Sequence, residues 1–295
     1  MNVWQHKQRF RNREAGARCA PLLLLALLVA LAACRPAGAA ANTNSLEQIQ
    51  ERGVLRAGVR FDNPPHSFID AEGNWVGFDI DMAHAVAEAM GLELELVRVD
   101  ELTRISFLQE NNIDIAVASM SKTLGRDQEV DFSQTYFWSK QTFLVREGEI
   151  DSLEDLVGQS VGMDRGSSAI GNWRDWLAAN GYDSEADVVE FGNKQAAAEA
   201  VRQGAIAGWA EDYEILASFA RNDPALVVLG EESIGLKLDG IGVVENNSKL
   251  LDAINHALQD IASSGEYAVI YDRWFGPDSD TPVPLQGSIE VWPDG

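Results

Sequence analysis

The chain has 295 residues, 46% of them hydrophobic, with 23 Lys and Arg against 46 Asp and Glu, a formal charge of −23. It is too apolar to be disordered and too acidic for nucleic acid or an anionic membrane surface to be its main partner. The length suits one large domain or two of about 100–150 residues, each able to bury its own core.

Residues 1–33 read as an export signal. Lys7, Arg9, Arg11, Arg13 and Arg18 form a basic start, and the apolar run from Pro21 to Leu31 is too short to span a bilayer stably. Leu31-Ala32-Ala33-Cys34 resembles a bacterial lipobox, in which small residues precede a cysteine that becomes lipidated and N-terminal. Cys19 leaves with the leader, so Cys34 alone remains, which excludes a disulfide and a cysteine-based metal site. Residues 34–44 read as a linker from that anchor. Losing the basic leader makes the mature chain more acidic still.

Order is expected from Ser45, where Ser45-Leu46-Glu47-Gln48 is a capping-box pattern and Gly53 a stop. The next elements are a strand over 54–60, a turn at Asn63-Pro64-Pro65, and a helix from Asp79 to Gly91. A strand over 92–97, a helix over 104–109 and a strand over 113–118 follow. This alternation predicts an α/β domain with a mainly parallel sheet. The pattern restarts after Tyr136-Phe137-Trp138. A short helix is expected over 152–157, then strands over 160–163, 188–191 and 206–210 alternating with helices over 168–179, 194–202 and 213–220. A strand over 241–244 and a helix over 249–262, capped by Ser248, are too little for a third domain and must pack on one of the first two. Residues 277–295 carry no periodic pattern and read as an extended tail.

Common catalytic signatures are absent. The sequence has no Gly-x-Gly-x-x-Gly, phosphate-binding loop, His-Glu-x-x-His or Gly-x-Ser-x-Gly. His66, His84 and His256 lie far apart, so no metal and no cofactor are expected.

The positive signal is an ordered set of segments. These are Val59-Arg60-Phe61-Asp62-Asn63-Pro64-Pro65-His66-Ser67-Phe68, Gly77-Phe78-Asp79-Ile80-Asp81, Ala118-Ser119-Met120-Ser121-Lys122-Thr123-Leu124-Gly125-Arg126 and Val130 to Tyr136, closed by Gly240-Ile241-Gly242 and Trp274-Phe275-Gly276. Together they resemble the amino-acid-binding family of bacterial extracellular solute-binding proteins that serve ABC importers, over about residues 46–276. The resemblance implies a two-lobe periplasmic-binding-protein fold of type II. Lobe 1 would comprise 46–135 plus 240–276 and lobe 2 141–234, joined by crossings near 136–140 and 235–239.

A free amino acid presents a carboxylate beside an ammonium, so its pocket needs a forked cation and an acceptor set. By resemblance Arg126 grips the carboxylate and Asp212 pairs the ammonium; the local alternative for Asp212 is a helix N-cap. Ser119 and Ser121, where the family usually has Gly and Thr, follow a strand at its carboxyl end and would accept from the ammonium. Gly166-Ser167-Ser168 opens a helix whose free N–H groups suit a carboxylate, which places Ser168 in the site. The side chain is expected to be read by Arg60, Asn63, Glu101 and Arg104. Arg60 would favour glutamate or aspartate. If Arg60 instead pairs with Glu101 or Asp62, glutamine or asparagine fits.

The expectation is a monomeric lipoprotein outside the cytoplasmic membrane, in periplasm or at the cell surface, that presents an amino acid to an ABC permease and its ATPase. The alternatives are a sensory ligand-binding protein, or an enzyme resembling cyclohexadienyl dehydratase with Glu101, Asp164 or Glu211 as acid or base. No catalytic residue is assigned.

Overall fold

The structure is a computed structural model that describes residues 45–182 and 187–293. The leader, the lipobox with Cys34 and the linker to Asn44 lie outside the described residues. Among the described residues no helix is long and apolar enough to cross a membrane.

Helix α1 (Leu46–Arg52) has the reciprocal capping box, Ser45 and Gln48 each bonding the other's backbone N–H at 3.3 Å, and ends on Gly53 at φ 72°. Strand β1 (Val54–Val59) pairs in parallel with β5 (Glu93–Arg98) on one side and β6 (Ile115–Ala116) on the other. Between β1 and β5 a small antiparallel sheet of β2 (Asp62–Asn63), β3 (Ser67–Ile69) and β4 (Trp75–Val76) carries the Pro-Pro turn. Helix α2 (Phe78–Ala89) follows β4 and α3 (Arg104–Gln109) follows β5.

Strand β7 (Val130–Arg146) is 17 residues long, the length of two ordinary strands and more. It pairs antiparallel along β12 (Gly235–Val244), with register breaks on either side of Gly240 where the ladder bends. The far end of β7 pairs with β10 (Gly208–Asp212) and β11 (Leu226–Val228), and β8 (Ser160–Asp164) lies in parallel between β10 and β9 (Asp187–Phe191). Helices α4 (Ala169–Ala179), α5 (Lys194–Arg202) and α6 (Tyr213–Asn222) follow β8, β9 and β10.

Buried apolar residues fall into sets on either side of these long strands. One set runs from Ile49 to Phe137 and returns with α7 (Ser248–Ser263) and α8 (Glu266–Phe275). The other lies wholly between Phe143 and Ile234. We call them the first and second halves. Each has parallel strands whose carboxyl ends, at Val59 and Arg98 in one and Asp164, Phe191 and Asp212 in the other, are where such sheets bind ligands.

Local differences from the sequence reading have physical causes. The 152–157 segment is only a 3-10 turn at Glu154–Leu156, because the Asp155 carboxylate takes the N–H groups of Asp151 and Ser152 in a tight loop. The strand placed at 206–210 runs two residues later, so Asp212 ends it rather than following it. Asn247, not Ser248, holds the N-cap position of α7. Helix α8 has no counterpart among the expected elements, because Gly265, just past α7, turns the chain directly into it at φ 84°. The tail lies on the first half, with Val283 and Ile289 buried and Val283 bonded to Phe275 and Tyr271.

Candidate functional site

Loops and strand ends of both halves meet around a group of buried charges. From the first half, Arg126 sits in the 3-10 turn Arg126–Gln128. Its Nη1 donates to the carbonyl of Ser121 at 2.9 Å and its Nη2 reaches across to the carbonyl of Gly166 at 3.0 Å. Arg104, at the start of α3, donates from Nη1 to the carbonyls of Ala118 and Ser119 at 2.8 and 3.3 Å, while its buried Nε has no partner. Neither guanidinium has a carboxylate within 4 Å among the described residues. Burial and the nearby Arg126 pull Arg104 down to about 9, although the Glu101 and Asp239 carboxylates oppose this. Burial likewise lowers Arg126.

Asp212 faces this pair from the second half. It occupies the N-cap position of α6 but makes no cap hydrogen bond. Instead its Oδ1 accepts from Gln141 Nε2 at 3.0 Å and its Oδ2 lies 2.7 Å from Lys237 Nζ. Burial pushes its carboxyl well above the usual range against the pull of Lys237. Ser168 precedes α4 without capping it. Its hydroxyl accepts from Gln141 Nε2 at 3.2 Å and lies 3.5 Å from the Ser121 hydroxyl. Ser119 stands at φ 50°, a left-handed conformation that favours glycine, and its hydroxyl accepts from Lys237 Nζ at 2.8 Å. Arg126, Arg104, Ser119, Ser121, Ser168 and Asp212 are thus brought together.

A second cluster adjoins a cavity of about 170 Å³ whose lining includes Arg60, Glu101, Asp164 and Lys194. Arg60 is buried and doubly paired, with Glu101 at 2.5 Å and Asp62 at 3.1 Å. Lys194 Nζ bonds Asp164 and, at 2.8 Å, Glu211. Oxygen atoms of Glu101, Asp164 and Glu211 lie within 4.8 Å of one another. Such a trio could hold a metal ion, but the Lys194 ammonium already neutralises two of them. Burial raises Asp164 to about 7, Lys194 opposing, whereas Lys194 outweighs burial at Glu211 and holds it at about 2. Of the two states left open for Arg60, a free cation or a partner of Glu101 or Asp62, the structure has the paired one. Asn63 is buried in β2 with neither amide atom bonded, so no hydrogen bond ties it to this group. A larger groove of about 410 Å³ beside α5 and α6 contains none of these residues.

Lys194, Lys237, Asp239 and Gln141 were not read as site residues. A lysine at a helix start is unfavourable to the helix dipole, and that misfit was the available signal for Lys194. Lys237 lacked even that.

The family described as bacterial extracellular solute-binding proteins, family 3, matches residues 55–277. The chain belongs to that family. Its fold is accordingly the two-lobe periplasmic-binding-protein fold of type II. The ABC transporter glutamine-binding protein of Bacillus subtilis is 32% identical, over 87% of this chain and 96% of that protein. The L-cystine-binding protein of Escherichia coli K12 is 27% identical, over 87% and 95%. An ancestral arginine-binding protein bound to glutamine superposes with a TM-score of 0.69 at 35% identity, covering 76% of this chain and 99% of that one.

Proposed function

We propose that this family 3 protein is the extracytoplasmic, lipid-anchored receptor of an ABC importer and binds a neutral polar L-amino acid, L-glutamine first, between its two halves. The observation that carries the reading is the placement of Arg126 opposite Asp212. A forked cation bonded only to carbonyls on one half stands near a buried carboxylate on the other, the two poles that an amino-acid head group requires. The distal cluster decides the side chain. Arg60 and Lys194 are donors, Glu101, Asp164 and Glu211 are acceptors, and the two kinds are already paired. An amide end, with two N–H donors and one carbonyl, suits such a mixed wall better than a carboxylate, which would bring one more negative charge. The Bacillus subtilis relative named for glutamine and the ancestral arginine-binding protein bound to glutamine support this choice. The leader and Cys34 support export and anchoring.

The same pairing argues for binding over catalysis, since Glu101, Asp164 and Glu211 are each held in ion pairs. A thermal-shift screen of the twenty amino acids at fixed salt tests the proposal, because a ligand selective for the folded state raises the melting point. Glutamine should give the largest shift. A shift confined to glutamate and aspartate would refute the side-chain reading, and no shift with any amino acid would refute the function.

A further inference from the structure

The acceptors that the proposed function gives to the ligand's α-ammonium already hold a cation from the chain itself. Lys237, fully buried on β12 opposite Ser139, lies 2.7 Å from Asp212 Oδ2, 2.6 Å from Asp239 Oδ2 and 2.8 Å from Ser119 Oγ. A lysine ammonium has three donors, and three acceptors surround it. Ser119 adopts its left-handed conformation at a cost to any residue but glycine, and its hydroxyl there reaches Lys237. A second ammonium on Asp212 would stand close to Lys237 in a site shielded from water, where like charges repel strongly. Glu214 lies behind Lys237, and Glu101 stands beside Arg104 and Arg126, so the acceptors Lys237 uses are held within a dense field of both signs. A zwitterionic head group would set a second ammonium beside Lys237; a carboxylate with an uncharged α-position would not.

We infer that Lys237 is a specificity-determining residue that stands in for the ligand's α-ammonium, so that the cleft takes carboxylates with an uncharged α-position, the deamino, 2-hydroxy and 2-oxo analogues, alongside the amino acid. This rests on Arg126 and Asp212 being the two poles of the head-group site.

Calorimetric titration of the mature chain with L-glutamine and with glutaramate, the same skeleton without the amino group, tests it. The wild type should bind the two within about tenfold of each other. Lys237→Met frees Asp212 for the ligand and should open a preference for glutamine of about a hundredfold or more. Lys237→Met combined with Asp239→Asn removes one charge of each sign, and should show the same preference if the single variant fails to fold. A wild-type preference for glutamine above about a hundredfold, or a ratio unchanged in the folded variants, overturns the inference while leaving the proposed function standing. Failure of the wild type to bind either compound overturns both, and binding of glutaramate alone overturns only the glutamine reading.

Discussion

Nε2 of His66 lies 2.8 Å from Oε1 of Glu214, and this wholly buried pair joins the first half to helix α6 of the second. The Asp79 carboxylate stands 3.7 Å from the other ring nitrogen, Ser139 donates to Glu214, and Phe78, Phe137 and Phe275 surround the imidazole. Burial alone would lower the histidine, but Asp79 and Glu214 raise it to about 9. A raised histidine stabilises the fold fully below its unfolded value of about 6.5, and that contribution is lost as pH climbs through about 9. The melting temperature should therefore fall between about pH 7 and 9, with at most about 3 kcal/mol at stake. His66→Gln should flatten the slope; an equally steep fall in the variant would place its origin elsewhere.

Arg126 anchors the proposed head-group site while leaving the core alone, since its partners are two loop carbonyls. Arg126→Ala should keep the wild-type melting temperature to within a few degrees. It should weaken glutamine binding by roughly 2–5 kcal/mol in calorimetry, the scale for breaking a desolvated charge contact. Undiminished affinity would move the pocket.

Lys194 is a different kind of residue, because its loss strands Asp164 and Glu211 in a buried site. Lys194→Met should cost about 3–5 kcal/mol of stability in urea at pH 8. A carboxyl whose folded pKa is raised destabilises in full above that pKa, and the penalty fades as pH falls below it toward the unfolded value of about 3.9. Asp164 is already pushed by burial to about 7, and without Lys194 it rises further, so the deficit should shrink toward pH 5. A deficit independent of pH would show that packing, not charge, is what the lysine contributes.

The alternation of strands and helices, the capping box and the order of the family segments could be read from the chain because they are local. Of the crossing strand β12, periodicity gives only 241–244 and resemblance the stretch near 235–239, whose pattern is inverted: Leu236 is 72% exposed while Lys237 and Asp239 are buried. Alternation assigns such a strand to the wrong face, because it assumes that polar residues point to water. The long β7 hid for a similar reason: Ser139, Gln141 and Thr142 are buried there among aromatic residues and bond to groups 27 to 87 residues away. For the proposed site, Arg126, Asp212 and the serines come from resemblance to the family, and the structure brings them together. The state of Arg60 was left between a free cation and a pair with Glu101 or Asp62, because Glu101 lies 41 residues on and only the fold decides whether they meet.

That pairing yields the sharpest test of selectivity. Glu101 holds Arg60 at 2.5 Å with both side chains largely buried, and Asp62, the second partner, is the more exposed of the two. Glu101→Gln keeps the shape of the wall and removes one negative charge, so the guanidinium is left with a single partner at the rim. The distal cluster, which with Asp62 has four carboxylates against two cations, then has three. A ligand carboxylate that was repelled before would then meet a half-free arginine, and like-charge contacts of this kind are worth several kcal/mol. The ratio of glutamate to glutamine affinity should rise by at least about tenfold in the variant, equivalent to about 1.4 kcal/mol. Glutamine itself should change less, since the new amide still offers a donor and an acceptor. If the ratio stays put, Arg60 does not read the side chain, and selectivity must be sought among Lys194, Asp164 and Glu211.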